Sequence, residues 1–293
     1  MISVFAPSGA GEVLAGADLA GLVLSTVGAD EHGPLRDGDI VVVTSKVLSK
    51  AAGLVRPAAD RAAVITEQAE RTVARRGPTQ IVRTRHGLTL AAAGVDASNV
   101  AAGSVLVLPE DPDADATDLQ AELARRTGLA LAVVISDTAG RAWRIGQTDQ
   151  AIGSAGLRVL ERYAGRTDGY GNDLQVTAMA VADEVAAAAD LVKAKLSGRP
   201  FAVVRGLAHL VVPPGGPDTT ARELVREPGQ DMFSRGAREA VLLATLAATG
   251  QPERYEELVA LEEPARTTAV LDGARLGPEA AELVRALLAA DLS

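Results

Sequence analysis

The chain has 293 residues, 47% of them hydrophobic, so it can bury a sizeable core as one large domain or two modest ones. A net charge of −9 argues against a nucleic-acid binder, and zero cysteines excludes disulfides, thiol nucleophiles and thiolate-bound metals. We see neither a signal peptide nor an apolar run of about eighteen residues that would span a membrane. We therefore expect a soluble, cytoplasmic protein that binds neither nucleic acid nor membrane.

Strand-like and helical patterns alternate along the first part of the chain. The apolar run at 39–45 predicts a buried strand, and residues 58–76 predict a helix. Residues 79–96 predict two strands joined by a His-Gly turn. The acidic stretch at 109–118 is expected to form a surface loop.

Further alternation follows. Residues 118–128 predict a helix with a glycine stop, and 129–136 predict a strand. Residues 174–198 predict a strand that leads into a helix, and 200–207 predict another strand. This mixture indicates an α/β or mixed α+β architecture with both parallel and antiparallel pairs.

A Pro/Gly-rich stretch at 211–221 has the composition of a linker, and the chain beyond it is helix-rich and charged. We therefore divide the chain into a core at 1–212 and a linker with a helical C-terminal tail at 213–293.

Lysines follow the first buried strand. Ser45, Lys46 and Lys50 come at or just after its end, where ammonium groups can hold phosphate oxygens. Exposed lysines after a strand are also common, so this pattern alone is a weak indication. Neither a GxxxxGK[ST] loop nor a GxGxxG fingerprint occurs, so a nucleotide would have to be held in another way.

A carboxylate and a hydroxyl, Asp137 and Thr138, are predicted to end the strand at 129–136. A buried carboxylate needs a partner, which leaves two interpretations. One is a salt bridge from Asp137 to a nearby arginine, and the other is a Mg²⁺ or Mn²⁺ site completed by Asp96. An Asx-turn or helix cap explains Asp96 equally well.

The glycine and the tryptophan after this pair carry their own expectations. Gly140 is expected to let the chain turn sharply. Trp143 is expected to pack as a wedge that fixes the following loop, with stacking on a ligand ring as the alternative.

The run DTAGRAWRIGQTDQAIG, residues 137–153, closely resembles the signature of the coenzyme F420-0:L-glutamate ligase (F420 gamma-glutamyl ligase) family. Residues 37–53, 86–100 and 174–192 resemble further family motifs in the same order. The resemblance covers about residues 1–212. It implies a two-lobed core of mixed sheets flanked by helices, and a homodimer.

The activity implied by the resemblance is the GTP-dependent ligation of L-glutamate to the lactyl carboxylate of coenzyme F420-0 through an acyl phosphate. Mg²⁺ or Mn²⁺ and K⁺ are the implied cofactors. Whether further gamma-glutamyl residues are added stays open. Two alternatives remain, a metal-dependent nucleotide phosphohydrolase and a non-catalytic GTP-binding regulatory protein.

The resemblance also implies site residues. Asp96, Asp137 and Thr138 would be metal ligands. The residues implied to contact GTP are Ala10, Gly11, Glu12, Val13, Ser45, Lys50 and Asn99, together with Lys193, Lys195, Ser197 and Gly198 of a segment at 193–200 that would close over the nucleotide. We add Arg141 and Arg144 as catalytic cations that would pair with phosphates or substrate carboxylates.

The chain departs from the family pattern in three places. Ala92 stands where the family usually has asparagine, and Ala142 stands where it usually has proline. The sequence VKAKLSG at 192–198 lacks a glycine and an aspartate of the usual pattern, so the implied roles of 193–200 are the least secure.

Overall fold

The computed structural model describes residues 1–213, 216 and 219–289, and it divides into two compact units. Unit 1 contains residues 1–61 and 94–225, and unit 2 contains residues 62–93 and the described residues from 226 onward. The predicted boundary at residue 212 does not coincide with this division. Four residues of the predicted linker, 214, 215, 217 and 218, and the last four of the predicted tail lie outside the described residues.

The regular elements alternate as the sequence predicts. The strands are β1 (Ser3–Phe5), β2 (Ile40–Thr44), β3 (Val55–Pro57), β4 (Ala69–Arg76), β5 (Thr79–Thr84), β6 (Thr89–Ala91), β7 (Ser104–Leu106), β8 (Ala132–Arg141), β9 (Arg144–Ala155), β10 (Glu161–Arg162), β11 (Ala178–Met179) and β12 (Phe201–Arg205). The helices are α1 (Leu19–Gly28), α2 (Ser45–Ala51), α3 (Arg61–Gln68), α4 (Pro112–Thr127), α5 (Val181–Lys193), α6 (Ala237–Ala248), α7 (Tyr255–Val259), α8 (Ala265–Gly273) and α9 (Pro278–Ala289). The predicted mixed α+β class, with a helical C-terminal region, is confirmed.

Unit 1 is built on a five-stranded sheet in the order β1-β12-β2-β8-β9. Strands β2 and β8 run parallel, and the other neighbours pair antiparallel. Residues 40–43 and 132–135 are fully buried, as expected for apolar runs covered on both faces of a sheet. The alanine- and valine-rich face of α5 packs against the sheet, so this core needs almost no aromatic side chains.

The strand that was predicted to end at Asp137 and Thr138 continues to Arg141. The prediction was wrong because the polar residues still have a ladder partner: β8 pairs with β9 from Val133 to Arg141. Asp137 and Thr138 therefore lie inside a strand. Gly140 also lies in β8, and the positive φ values near this hairpin belong to Trp143 (59°) and Gly146 (89°).

Most of the predicted acidic loop at 109–118 is instead the beginning of α4. Asp111 caps this helix by accepting a hydrogen bond from the backbone N–H of Ala114 at 3.1 Å. Pro112 occupies the first turn, where its missing N–H is no loss, and Asp113 and Asp115 favour the positive end of the helix dipole. The acidic residues of this stretch therefore mark the capped beginning of a helix.

Unit 2 combines the three-stranded sheet β4-β5-β6 with the helices α6 to α9. The helix predicted over 58–76 is only partly correct, because α3 ends at Gln68 and the chain continues as β4. Pairing with β5 overrides the helical propensity of that stretch. Tyr255 donates its hydroxyl proton to the carbonyl of Thr72 at 3.1 Å, which ties α7 to β4.

In the described part of both units, no helix is long and apolar enough to cross a membrane.

Candidate active site

A cavity of about 370 Å³ opens in unit 1 beside the end of β2, the polar part of β8 and the end of α5. Four separate stretches of the chain and the β8–β9 hairpin form its wall. The lining residues are Gly11, Glu12, Val13, Thr44, Lys46, Val47, Lys50, Asn99, Thr138, Asp149, Asp190, Lys193, Ala194, Lys195, Leu196, Gly198, Arg199 and Pro200.

Most of the residues that the resemblance assigned to GTP meet in this one cavity. They are Gly11, Glu12, Val13, Lys50, Asn99, Lys193, Lys195 and Gly198. Ala10 is buried next to this group and does not line the cavity. Ser45 and Ser197 do not line it either, and their hydroxyls donate to Asp137 and to the carbonyl of Lys193, respectively.

Asp137 is a half-buried carboxylate that does not line the cavity and has no ion pair in the described part of the chain. It accepts one hydrogen bond, from the hydroxyl of Ser45 at 2.8 Å. Burial, together with the nearby charges of Asp149 and Asp96, raises the pKa of Asp137 to about 6, although the hydrogen bond from Ser45 and the charge of Lys46 act to lower it. A bound cation would oppose this shift, because a nearby positive charge favours the ionised carboxylate.

Asp96 lies next to the cavity and contacts a lysine. Its Oδ2 lies 2.5 Å from Nζ of Lys46, and its Oδ1 accepts a hydrogen bond from the backbone of Ser98 at 2.6 Å. Burial alone would raise the pKa of Asp96, but the hydrogen bonds from Lys46 and Ser98 hold it below its ordinary value. The contact with Ser98 is the Asx-turn that the sequence left open, and the contact with Lys46 is additional.

Several lysine side chains make up part of the cavity lining, here called the lysine wall. Lys46, Lys50, Lys193 and Lys195 line the cavity, with Arg199 beside them. The pKa of Lys195 is lowered by burial and by the neighbouring ammonium of Lys46. Like charges held this close favour an anion between them. The sequence analysis placed Lys46 at a strand end but did not include it among the site residues.

A second buried network lies on the other face of β8. Thr138 donates its hydroxyl proton to Oδ1 of Asp149 at 2.8 Å, because the two residues are directly opposite in the β8–β9 ladder. Lys193 donates to Oδ2 of the same carboxylate at 2.7 Å. Burial would raise the pKa of Asp149, but the Lys193 ammonium and the hydroxyls of Ser136 and Thr138 hold it below its usual range.

This network argues against the expectation that Asp137 and Thr138 bind the same metal ion through their side chains. Successive side chains of a strand face opposite sides, so the side chains of Asp137 and Thr138 point to Ser45 and to Asp149 instead of converging. Asp149 was missed by sequence reasoning, although it lies in the quoted motif as the carboxylate of QTDQ. Asp149 could have been identified by pairing β8 with β9 across the turn at Trp143, because this pairing places Asp149 opposite Thr138.

Arg141 and Arg144 lie at the far end of the hairpin, outside the cavity lining. Arg141 donates through Nη2 to the carbonyl of Ile145 at 3.3 Å, and Arg144 is exposed. The alternative of a salt bridge from Asp137 to either arginine is therefore wrong. Trp143 is 82% exposed, so the expectation that it packs as a wedge is also wrong.

Asp96 and Asp137 form a donor set that fits a hard divalent cation. Both are carboxylates, the charge of Asp96 raises the pKa of Asp137, and Asp137 has no ion pair in the described part of the chain. In the described chain, no group of three or more His, Asp or Glu side chains converges as a metal site. Protein carboxylates would therefore supply only part of a coordination sphere, as is usual where substrate phosphates and water complete it.

A cavity that contains both ammonium groups and carboxylates belongs to a class of site that can bind a polyanion and a metal ion at the same time. Comparison with known proteins specifies the class further. A profile of the F420-0:gamma-glutamyl ligase family matches residues 9–206. The chain belongs to this family.

The chain is similar to three archaeal proteins named coenzyme F420:L-glutamate ligase. It is 36% identical to the Methanopyrus kandleri protein over 76% of this chain and 93% of the relative. It is 37% identical to the Archaeoglobus fulgidus protein over 70% of this chain and 88% of the relative. It is 40% identical to the Methanothermobacter thermautotrophicus protein over 70% of this chain and 89% of the relative.

Proposed function

We propose that the protein ligates L-glutamate to the lactyl carboxylate of coenzyme F420-0, using GTP and a divalent metal ion, in coenzyme F420 biosynthesis. The observation that carries the proposal is one cavity lined by Lys46, Lys50 and Lys195, two of which interact with carboxylates of the family's metal motifs outside the lining. Names of the similar proteins support the choice of F420 and glutamate as substrates.

The reaction needs activation because a carboxylate does not react with an amine at neutral pH. An oxygen of the F420-0 carboxylate attacks the γ-phosphorus of GTP, which forms an acyl phosphate and releases GDP. The deprotonated amine of glutamate then attacks the acyl carbon, an amide bond forms, and inorganic phosphate leaves. No protein nucleophile is required, which agrees with a chain that has no cysteine.

The protein would contribute charge and position. Lys46, Lys50 and Lys195 would bind the phosphates of GTP and stabilise the negative charge that develops on the transferred phosphoryl group. Asp96 and Asp137 would hold Mg²⁺ or Mn²⁺, which when bound neutralises phosphate charge. Ser45 fixes Asp137 through its hydrogen bond. The resemblance also implies Thr138 as a metal ligand, but its hydroxyl donates to Asp149 on the other face of β8, so it is not part of this proposed donor set.

Further parts of the proposal follow from the resemblance. They are stimulation by K⁺, a homodimeric assembly, a cytoplasmic location, and GTP contacts from residues 10–13 and Asn99. Arg141 and Arg144 are proposed to act on F420-0 or glutamate, since neither lines the cavity.

The test is incubation of the protein with F420-0, GTP, L-glutamate and Mn²⁺, with products identified by mass spectrometry. We expect a mass increase of F420-0 by one or more glutamyl residues and an equivalent release of GDP. Omission of glutamate should prevent the product. GDP release that continues at the same rate without F420-0 and glutamate would identify a phosphohydrolase instead, and GTP binding without turnover would identify a regulatory protein.

A further inference from the structure

The last residue of α5, Lys193, lines the cavity and is held by two buried hydrogen bonds. Its Nζ lies 2.7 Å from Oδ2 of Asp149 and 2.8 Å from the hydroxyl of Ser136. The side chains of Lys193 and Asp149 are only 6% and 4% exposed. The positive charge of this lysine is therefore balanced inside the protein before any ligand arrives, in a pair more deeply buried than that of Lys46 with Asp96.

The next residue, Ala194, holds a strained backbone conformation. Its φ of 47° and ψ of 140° belong neither to a helix nor to an ordinary strand. Such a conformation is unfavourable for a residue with a side chain and persists only where the surroundings impose it. Here the side chain of Lys193 is anchored on one side, and the hydroxyl of Ser197 donates to the carbonyls of Lys193 and Ala194 on the other.

The strained step determines where Lys195 lies. Lys195 lines the cavity, its ammonium neighbours that of Lys46, and it interacts with the charges of Asp96 and Asp137. Between the anchored Lys193 and this cluster there is only one residue. A change in the conformation of Ala194 would therefore move Lys195 relative to the carboxylates and to the lysine wall.

We propose that Lys193 is a positioning residue for GTP binding that acts through Lys195. Its buried pair with Asp149 fixes the end of α5, and the strained Ala194 transmits that position to the ammonium that meets the triphosphate. The inference rests on the proposed nucleotide site. It differs from the role of direct GTP contact implied by the family resemblance, and it gives Asp149 a structural reason for its burial.

Ala194→Gly tests the strained step without removing any charged group. Binding of GTP is measured by titration calorimetry in the absence of F420-0 and glutamate, alongside the melting temperature. Because glycine tolerates this conformation without strain, the melting temperature should not fall, yet the freer segment should bind GTP at least about fivefold more weakly. Ala92→Gly is the matched control, since Ala92 also has a positive φ, of 52°, and does not line the cavity.

The buried pair is tested by replacing both partners at once, with Asp149→Asn and Lys193→Gln, so that no unpaired charge is left behind. If the pair acts through Lys195, its effect on GTP affinity should largely disappear in a Lys195→Ala background, because coupled residues are not additive. The control is Asp39→Asn with Arg205→Gln, which removes another buried pair of unit 1, 2.8 Å apart. It should lower the melting temperature and leave GTP affinity unchanged.

Three results would overturn the inference. One is wild-type GTP affinity in Ala194→Gly. This variant still tests the positioning role of Lys193 if the pair variant fails to fold. Another is an effect of the pair variant that adds in full to that of Lys195→Ala, as expected for a direct ligand. The third is a wild-type protein that binds no GTP, which would overturn the proposed function as well, whereas the first two leave that function standing.

Discussion

Ser45, the first residue of α2, donates its hydroxyl proton to Oδ1 of Asp137 in the middle of β8 over 2.8 Å. The two residues are brought together because β2 and β8 are parallel neighbours, with Thr44 opposite Ser136. This bond orients a half-buried carboxylate but does not neutralise it. The charge of Asp137 is therefore available for a cation, and in the metal-free protein it is a source of instability.

Asp137→Asn should abolish ligation and preserve the fold. The amide oxygen of asparagine can still accept the hydrogen bond from Ser45, but it cannot supply the charge that a divalent ion requires. Turnover is measured at saturating Mn²⁺ by product mass, and the fold by circular dichroism. Ser45→Ala is the companion variant and should weaken activity less. Near-normal turnover in the Asp137→Asn variant would mean that Asp137 is not a metal ligand.

The same substitution should stabilise the metal-free protein at neutral pH. The pKa of Asp137 is raised to about 6 in the folded state, whereas an unfolded aspartate has a pKa of about 3.9. Between these values the folded state binds the proton more tightly, so this group lowers the free energy of unfolding as pH rises from about 4 to 6. The loss is up to about 3 kcal/mol and persists at higher pH.

The measurement is urea unfolding of wild type and Asp137→Asn in EDTA across that pH range. The two proteins should be similar near pH 4, and the variant should be the more stable above pH 6. Asp96 and Asp149, whose pKa values are lowered, act in the opposite direction in both proteins, so only the difference between the two curves is informative. A constant difference over the whole range would contradict the raised pKa.

Continuous apolar runs and glycine-containing turns were sufficient to predict β2, β12 and the β5–β6 hairpin. β2 and β12 are buried in the sheet, and a buried strand can be recognised directly from its continuous run of apolar residues. The prediction over 58–76 was wrong after residue 68, because β4 exists through its pairing with β5, and pairing partners are not visible in a local pattern. The end of β8 was misplaced for the same reason.

Site residues could be predicted where they belong to a family motif, but not where their role depends on contacts between distant parts of the chain. Residues 11–13, Lys50 and Asn99 were placed by resemblance and meet in the cavity. Asp149 and Lys46 were missed, because their importance lies in a cross-strand partner and in a contact with Asp96, which is 50 residues away in sequence. Burial of Lys193 was equally out of reach, since a lysine at the end of a helix is usually exposed.

Arg144→Ala should lower turnover by about tenfold or more, as the loss of a charge-assisted contact of roughly 1.5–3 kcal/mol implies. GTP affinity should be unchanged, because Arg144 is exposed on the hairpin and does not line the cavity. The melting temperature should also stay the same. Steady-state kinetics with F420-0 and glutamate, together with GTP titration, separate these effects. Normal turnover would remove Arg144 from the catalytic residues.

Lys46→Met should change the affinities for GTP and for metal in opposite directions. In the ligand-free protein the ammonium of Lys46 lies 2.5 Å from Oδ2 of Asp96, so it competes with any cation for that carboxylate. Methionine keeps much of the side-chain volume and removes the charge, so Mn²⁺ binding without nucleotide should tighten by about threefold to tenfold. GTP binding without metal should weaken, because one phosphate partner is lost from the lysine wall. Manganese binding is measured by electron paramagnetic resonance and GTP binding by calorimetry.

Lys50→Met serves as the control. Lys50 also lines the cavity but has no contact with Asp96, so this substitution should weaken GTP binding and leave Mn²⁺ affinity unchanged. If both affinities fell together in Lys46→Met, the substitution would have disturbed the site as a whole, and the competition between Lys46 and the metal would be refuted.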